Sequence, residues 1–381
     1  MVSPAQLLEF FEGIGVSFYT GVPDSLLQAF CIEVFNRYGE SNNHHIVAVN
    51  EGNAVALGAG YHLATGKIPL VYLQNSGLGN AVNPATSLAD PAVYGIPILY
   101  IVGWRGEPGI HDEPQHVKQG EITCDLLEVL GIPFVIIDKQ TTTEAVTKEF
   151  SKTLQPHLAH GQSVAIVVRK GAFEKPEGSF PEQAGALDRE FVIKKLADGT
   201  SAEDFVVSTT GKISRELFEH RKTSGSSFGS HDFLTVGSMG HASAIALSIS
   251  VQHPKKTIWC FDGDGAMLMH MGAMATIGGM APNNLLHVVL NNGSHESVGG
   301  MPTIARNVDL LGIATACGYK DTYRIRNQSE LDNFLKKGKQ DLSGPIFIEI
   351  IVSSGSRPEL IRPDSTPEEN KLSFMSALQE G

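Results

Sequence analysis

Short apolar runs alternate with amphipathic stretches along the chain. Apolar residues at helical spacing predict a helix over 5–14, followed by a short strand at 16–19 that ends in Gly21-Val22-Pro23. A helix is expected over 25–38, a strand over 46–49, and a helix rich in small residues over 51–64. Continuous apolar runs at 69–73, 98–102, 134–137 and 164–168 read as strands of a parallel sheet covered on both faces. The pattern breaks at 171–188, where Lys175-Pro176-Glu177-Gly178, Pro181 and Gly185 punctuate the chain as a linker would. Alternation then resumes, with strands expected at 205–208, 257–261, 286–290 and 346–351 and a short helix near 371–378. The pattern predicts an α/β protein of two doubly wound open-sheet domains: one over 1–170, a linker over 171–200, and a second over 201–381.

Composition narrows the class. Twenty-nine basic against 41 acidic residues give a net charge of -12, which excludes a general binder of nucleic acid or anionic membrane. A small anionic substrate stays open, because a pocket can be locally basic. No run approaches the roughly twenty apolar residues of a membrane-spanning helix. The N-terminus lacks a basic segment leading into an apolar core, so a cytoplasmic protein is expected. Cys31, Cys124, Cys260 and Cys317 are scattered and form no CxxC pair, as reduced buried thiols would be.

The most specific chemistry lies in the second half. The strand at 257–261 runs into Gly263-Asp264-Gly265-Ala266, and the strand at 286–290 ends in Asn291-Asn292-Gly293. Helix-and-strand spacing puts Asp264 and Asn292 at the carboxyl edges of neighbouring strands, where open α/β sheets bind ligands. Asp264 offers a carboxylate, Asn292 an amide oxygen, and the turn at Ser294 a backbone carbonyl. Such an oxygen set suits Mg²⁺ shared with phosphates. Gly263 and Gly265 let backbone approach a diphosphate, and a helix starting near Ala266 would point its amides at it. Two ordinary turns are the plainer alternative.

The paired motif resembles the cofactor signature of thiamine-diphosphate-dependent decarboxylases. The resemblance extends through Gly21-Val22-Pro23-Asp24-Ser25, Asn50-Glu51-Gly52-Asn53-Ala54, the loop at 103–120 and the run at 291–300. It implies a pyrimidine-binding domain followed by a diphosphate-binding domain, with no third domain between them, and thiamine diphosphate and Mg²⁺ as cofactors. Glu51 would bond the aminopyrimidine ring and favour its imino tautomer; a helix N-terminal carboxylate is the alternative. Met239, in the loop Gly237-Ser238-Met239, would prop the bent cofactor or serve as a core methionine. Thr210 and Gly211 would contact the diphosphate. The segment Gln74-Asn75-Ser76-Gly77-Leu78-Gly79-Asn80 resembles the loop lining the pyrimidine.

The resemblance implies a carboxy-lyase acting on a small 2-oxo acid. Phosphonopyruvate is the first expectation, giving phosphonoacetaldehyde and carbon dioxide. Sulfopyruvate or another 2-oxo acid decarboxylated or ligated by the same cofactor is the alternative. A substrate with two anionic groups needs cationic or multiple donors, and Arg105, His111, His116 and Lys118 are the local candidates, with Asp24 and Ser25 beside them. A solvated loop with scattered charges is the alternative for 103–120. Asp24 would pass a proton to the reacting carbon, or else cap the helix expected from Ser25. His295 follows the metal turn and is expected near the reacting carbon. An oxidoreductase subunit that passes electrons to an iron–sulfur centre is disfavoured by the scatter of the four cysteines. A regulatory protein that only binds cofactor is disfavoured by the presence of Glu51, Asp264 and Asn292 together. The resemblance also implies a homo-oligomer with active sites at subunit interfaces.

Overall fold

A computed structural model describes residues 1–337 and 343–380. It divides into two compact units: Met1–Pro181 with Val298–Pro302, and Glu182–Ser297 with Thr303–Gly381.

The first unit holds six strands: β1 (Tyr19–Gly21), β2 (His45–Val47), β3 (Leu70–Gln74), β4 (Leu99–Gly103), β5 (Phe134–Ile137) and β6 (Val164–Val168). All pair in parallel, in the order β2-β1-β3-β4-β6-β5. Side chains alternate across the sheet. Tyr72, Leu99, Ile101 and Ile166 join one core. Val71, Leu73, Tyr100, Val102 and Val167 join another on the opposite face. That double burial is why these strands read as continuous apolar runs. The chain steps from β1 to β2 on one side and returns with β3 on the other, so β1 marks a switch point in strand order. A crevice for a ligand opens outside the carboxyl ends of strands at such a point.

The second unit repeats the plan with β7 (Asp204–Ser208), β8 (Asp232–Leu234), β9 (Thr257–Gly263), β10 (Leu285–Asn291), β11 (Asp321–Ile325) and β12 (Ile346–Ile351). The order is β11-β12-β10-β9-β7-β8, again all parallel. Trp259, Phe261, Val288, Leu290, Ile348 and Ile350 centre the core on one face.

Several boundaries differ from the sequence reading. The strand expected at 16–19 lies at Tyr19–Gly21. Val16 and Phe18 are buried on the approach to it, so apolar character marked burial rather than pairing. Gly21 belongs to the strand because a side chain there would meet the Tyr72 carbonyl of β3 at 2.0 Å. The helix expected from 25 begins at Gln28. Strand β8 is too short and strand β11 too polar to signal itself. The last helix runs Pro367–Glu380, longer than expected.

Residues 171–200, expected as a linker, are shared between the units. Phe173 and Phe180 are buried with the first. Leu187, Val192, Ile193 and Leu196 are buried with the second, the last three on the helix Arg189–Asp198. Among the described residues no helix is long and apolar enough to cross a membrane.

Candidate active site

In the first unit the polar groups gather at the carboxyl ends of β1, β3 and β4. Glu51 opens the helix Glu51–Thr65, whose cap Asn50 accepts the Gly52 N–H at 2.7 Å. The Glu51 carboxylate is buried, and one oxygen accepts from Asn80 Nδ2 at 2.7 Å. The other faces the bare Cα of Gly77; a methyl there would come within 2.4 Å of it. Glu51 is thus held from one side by an amide, with a space that only glycine leaves open on the other.

Asp24 is wholly buried. Its carboxylate accepts from Gln74 Nε2 at the end of β3 and from the Leu26 amide at 3.0 Å. Gly103, at the end of β4, makes room for it, since a Cβ there would lie 2.1 Å from Oδ2. Burial raises the Asp24 pKa above the usual carboxylate value, and these hydrogen bonds and the Arg105 charge only partly offset it. The expected alternative, a cap on a helix from Ser25, does not apply: the helix starts three residues later, and Asp24 instead closes a local turn.

Arg105 forks onto Asp112, with Nε to Oδ2 at 2.8 Å, and its NH1 donates to Ser25 Oγ at 3.1 Å. Burial pushes Asp112 up, but Arg105 and the Glu113 and Gly106 amides outweigh it and hold the carboxyl well below its usual range. Asn75 anchors the same loop, accepting the Arg105 N–H at 3.1 Å and donating to the Arg105 carbonyl at 2.8 Å. Arg105 therefore comes to the site with its charge already paired.

His116 lies half-buried on the helix Pro114–Val129, and its Nδ1 has no hydrogen-bond partner. Burial, then the nearby Arg105 charge, lowers its pKa, so the ring is neutral near pH 7. The midpoint of a His116 titration followed by NMR is expected below 6.5; a midpoint at or above that value contradicts the reading. Lys118, expected beside the substrate, is 80% exposed and pairs with Glu121 one turn along the helix. His111 is likewise exposed. On an amphipathic helix, side chains two apart face different directions, so His116 and Lys118 part company.

The loop is clamped to this helix by two glycines. A Cβ on Gly106 would fall 1.9 Å from the His116 carbonyl, and one on Gly120 1.7 Å from the Gly106 carbonyl. Gly120→Ala is therefore expected to cost about 2–3 kcal/mol by overpacking against backbone. The check is the denaturation midpoint, and an unchanged midpoint would show that the loop can yield.

In the second unit, Asp264 follows β9 and Asn292 follows β10, its paired neighbour. They meet directly: the Asp264 carboxylate accepts the Asn292 backbone N–H, and also bonds Thr303 Oγ1. Asp264 is fully buried, and desolvation pushes its pKa up to about 6 in spite of these bonds. Asn292 Oδ1 accepts the Ser294 amide at 3.0 Å, and its Nδ2 donates to Glu296 Oε2 at 3.2 Å. That Glu296 oxygen also accepts the Gly355 N–H at 2.8 Å. Ser294 Oγ is buried with no partner. The helix after Gly263 starts at Asp264 rather than near Ala266, and it ends at Met269 before a second helix, Gly272–Met280.

His295 is buried, its ring about where a side chain on Gly265 would reach, 3.0 Å from that Cβ position. Desolvation lowers its pKa to about 4, so it too is neutral. At the switch point of this sheet, Thr209-Thr210-Gly211 follow β7. Thr210 Oγ1 donates to the Val236 carbonyl at 2.7 Å, and Gly211 adopts φ 94. The loop Gly237-Ser238-Met239 leads to Gly240, where a Cβ would lie 2.9 Å from the Ala266 carbonyl. This loop therefore packs on the turn that carries Asp264. Met239 is half-buried and Ser238 exposed.

The donors at the second-unit turn suit a hard divalent cation. They are oxygens: a buried carboxylate, an amide, and a hydroxyl without a hydrogen-bond partner among the described residues. Sequence reasoning missed Thr303, which joins the two halves: its Oγ1 bonds Asp264 and its N–H donates to the Gly293 carbonyl at 2.9 Å. Nothing in the local sequence marks it, since it lies on a loop far along the chain. It also missed Asp112 as the partner of Arg105, which a basic-residue count overlooks.

Comparison with known proteins agrees with both halves. Residues 4–129 match the thiamine pyrophosphate enzyme N-terminal TPP binding domain, and residues 209–350 match the thiamine pyrophosphate enzyme C-terminal TPP binding domain. The chain belongs to the thiamine pyrophosphate enzyme family, in the group of the phosphonopyruvate decarboxylases. It is 34% identical to the phosphonopyruvate decarboxylase of Streptomyces viridochromogenes, over 97% of this chain and 93% of that one. It is 33% identical to that of Streptomyces hygroscopicus, over 100% and 95%. A sulfopyruvate decarboxylase from Methanosarcina acetivorans is 28% identical over 99% and 98%.

Proposed function

We propose that the protein decarboxylates 3-phosphonopyruvate to phosphonoacetaldehyde and carbon dioxide, using thiamine diphosphate and Mg²⁺. The observation that carries this reading is the likeness to phosphonopyruvate decarboxylases across nearly the whole chain. Thiamine diphosphate, when bound, supplies the nucleophilic carbon and the electron sink for the departing carboxylate.

The chain's own residues divide the remaining work. Asp264, Asn292 and Ser294 would hold Mg²⁺, with Thr210, Gly211, Gly263, Gly265 and Ala266 beside the diphosphate. Gly237, Ser238 and Met239 would support the cofactor's middle. Glu51, held in place by Asn80, would bond the pyrimidine ring. Asp24, whose pKa burial raises, can retain a proton and deliver it to the carbon that loses carbon dioxide. Neutral His116 and His295 can donate or accept a hydrogen bond without adding charge. Ser25 and Arg105 are the donors for the substrate's anionic groups. Because Arg105 is shared with Asp112, it serves as an oriented donor more than as an unpaired charge. The enzyme works as a homo-oligomer in the cytoplasm.

The test is a comparison of kcat/KM for phosphonopyruvate, sulfopyruvate and pyruvate. Preference for phosphonopyruvate supports the proposal. Preference for sulfopyruvate keeps the cofactor chemistry and moves the substrate.

A further inference from the structure

Behind the Asn291–Gly293 turn lies a buried carboxylate, paired with a half-buried arginine, to which the reaction gives no obvious part. Glu349 sits within β12, 2% exposed, in register with Val289 of β10 on one side and Arg324 of β11 on the other. A carboxylate in the middle of a sheet is costly unless it is paired and its lone pairs are filled. Here both conditions hold. Oε1 accepts from Asn291 Nδ2 at 2.7 Å, and Oε2 accepts from Arg324 Nε at 2.6 Å. Arg324 in turn reaches Asp309 at 3.0 Å.

Asn291 passes the constraint on. A carboxylate only accepts, so it takes the NH₂ edge of the Asn291 amide and fixes which way the group points. Asn291 Oδ1 is then turned to accept the Gly293 N–H at 3.0 Å. Gly293 stands in the left-handed region at φ 61, and its carbonyl accepts the Thr303 N–H. Thr303 Oγ1 bonds Asp264. Asn292 lies between the two fixed residues, so the turn that presents its amide is set from Glu349. An apolar residue would fill the same place in the sheet at less cost in desolvation, but it could not orient Asn291.

We propose that Glu349, backed by Arg324, is a positioning residue that sets the Asn291–Asn292–Gly293 turn and thereby the affinity for the divalent cation. The inference rests on Asp264 and Asn292 being the cation's ligands.

The experiment is a titration of the full-length apoprotein with Mg²⁺ at fixed thiamine diphosphate, followed by calorimetry without substrate. Wild type is compared with Asn291→Ala, with Glu349→Gln, whose single amide oxygen goes to Arg324 and turns an NH₂ rather than an acceptor toward Asn291, and with the double variant. Outer partners of metal ligands are commonly worth about 10–100-fold in affinity, and each single variant is expected to weaken Mg²⁺ binding on that scale. Because the two residues act through one hydrogen bond, the double variant is expected to be no weaker than the worse single one, within about twofold. At saturating Mg²⁺ and cofactor, kcat should fall far less than affinity does.

An unchanged Mg²⁺ affinity in Glu349→Gln, even with a lowered melting temperature, would reduce the residue to a structural role and overturn the proposal. So would losses that multiply in the double variant. If Glu349→Gln does not fold, Asn291→Ala decides alone: weakened Mg²⁺ binding at an unaltered melting temperature supports the relay, and unaltered binding overturns it. Asp264→Ala serves as the control. If that variant binds Mg²⁺ as wild type does, the ligand assignment itself has failed.

Discussion

Glu51→Gln is expected to lower kcat by about 10²–10⁴-fold, the range general acid–base groups usually supply, while thiamine diphosphate stays bound. The substitution keeps the shape of a side chain that is buried and bonded to Asn80. Gln can still accept from Asn80 Nδ2, so the local packing survives. What it loses is the carboxylate proposed to take part in the proton movements of the pyrimidine ring. The diphosphate is proposed to bind the second unit, so the cofactor affinity should change little. A kcat within about threefold of wild type would remove Glu51 from the acid–base chemistry, since that is far below the usual contribution.

The second large effect is expected at Asp264. Removing the carboxylate proposed as a direct metal ligand should cost more than loss of an outer partner, so Asp264→Ala should weaken Mg²⁺-dependent cofactor binding by more than about 100-fold. The fold should persist, because burial raises the Asp264 pKa and makes the ionised group a burden in the empty site. Thermal unfolding without Mg²⁺ is therefore expected to be unchanged or slightly improved, while the stabilisation that Mg²⁺ and thiamine diphosphate give wild type disappears. A variant still stabilised by the pair would contradict the assignment.

The sheets were legible because parallel strands covered on both faces have no polar alternation to confuse the reading. Val164–Val168 and Ile346–Ile351 lie where apolar runs end on both sides. Edge strand β8 is only three residues long, and edge strand β11 mixes exposed with half-buried positions, so neither announced itself. Glycines and prolines marked 171–200 as a linker and hid the apolar residues that pack it onto the units. Phe173, Phe180 and Leu187 among them are too widely spaced to show a period, yet they bury fully enough to attach each part to a unit.

Site residues close to a strand end were legible for a similar reason. Glu51, Asp264 and Asn292 each follow an apolar run, so their place at the carboxyl edge could be read directly. Partners supplied from a distance could not. Thr303 lies 39 residues from the Asp264 it bonds, and Glu349 lies 58 from Asn291. Charge alone also misled. Lys118 and Arg105 looked alike in the loop, but one is exposed and the other is locked onto Asp112.

The measurement that tests the central claim most directly is product formation from phosphonopyruvate by the purified protein, followed by ³¹P NMR with and without thiamine diphosphate and Mg²⁺. Conversion to phosphonoacetaldehyde with release of one carbon dioxide per turnover, only when both cofactors are present and lost in Glu51→Gln, is the result predicted. Cofactor bound by the protein with phosphonopyruvate left unconverted would contradict it.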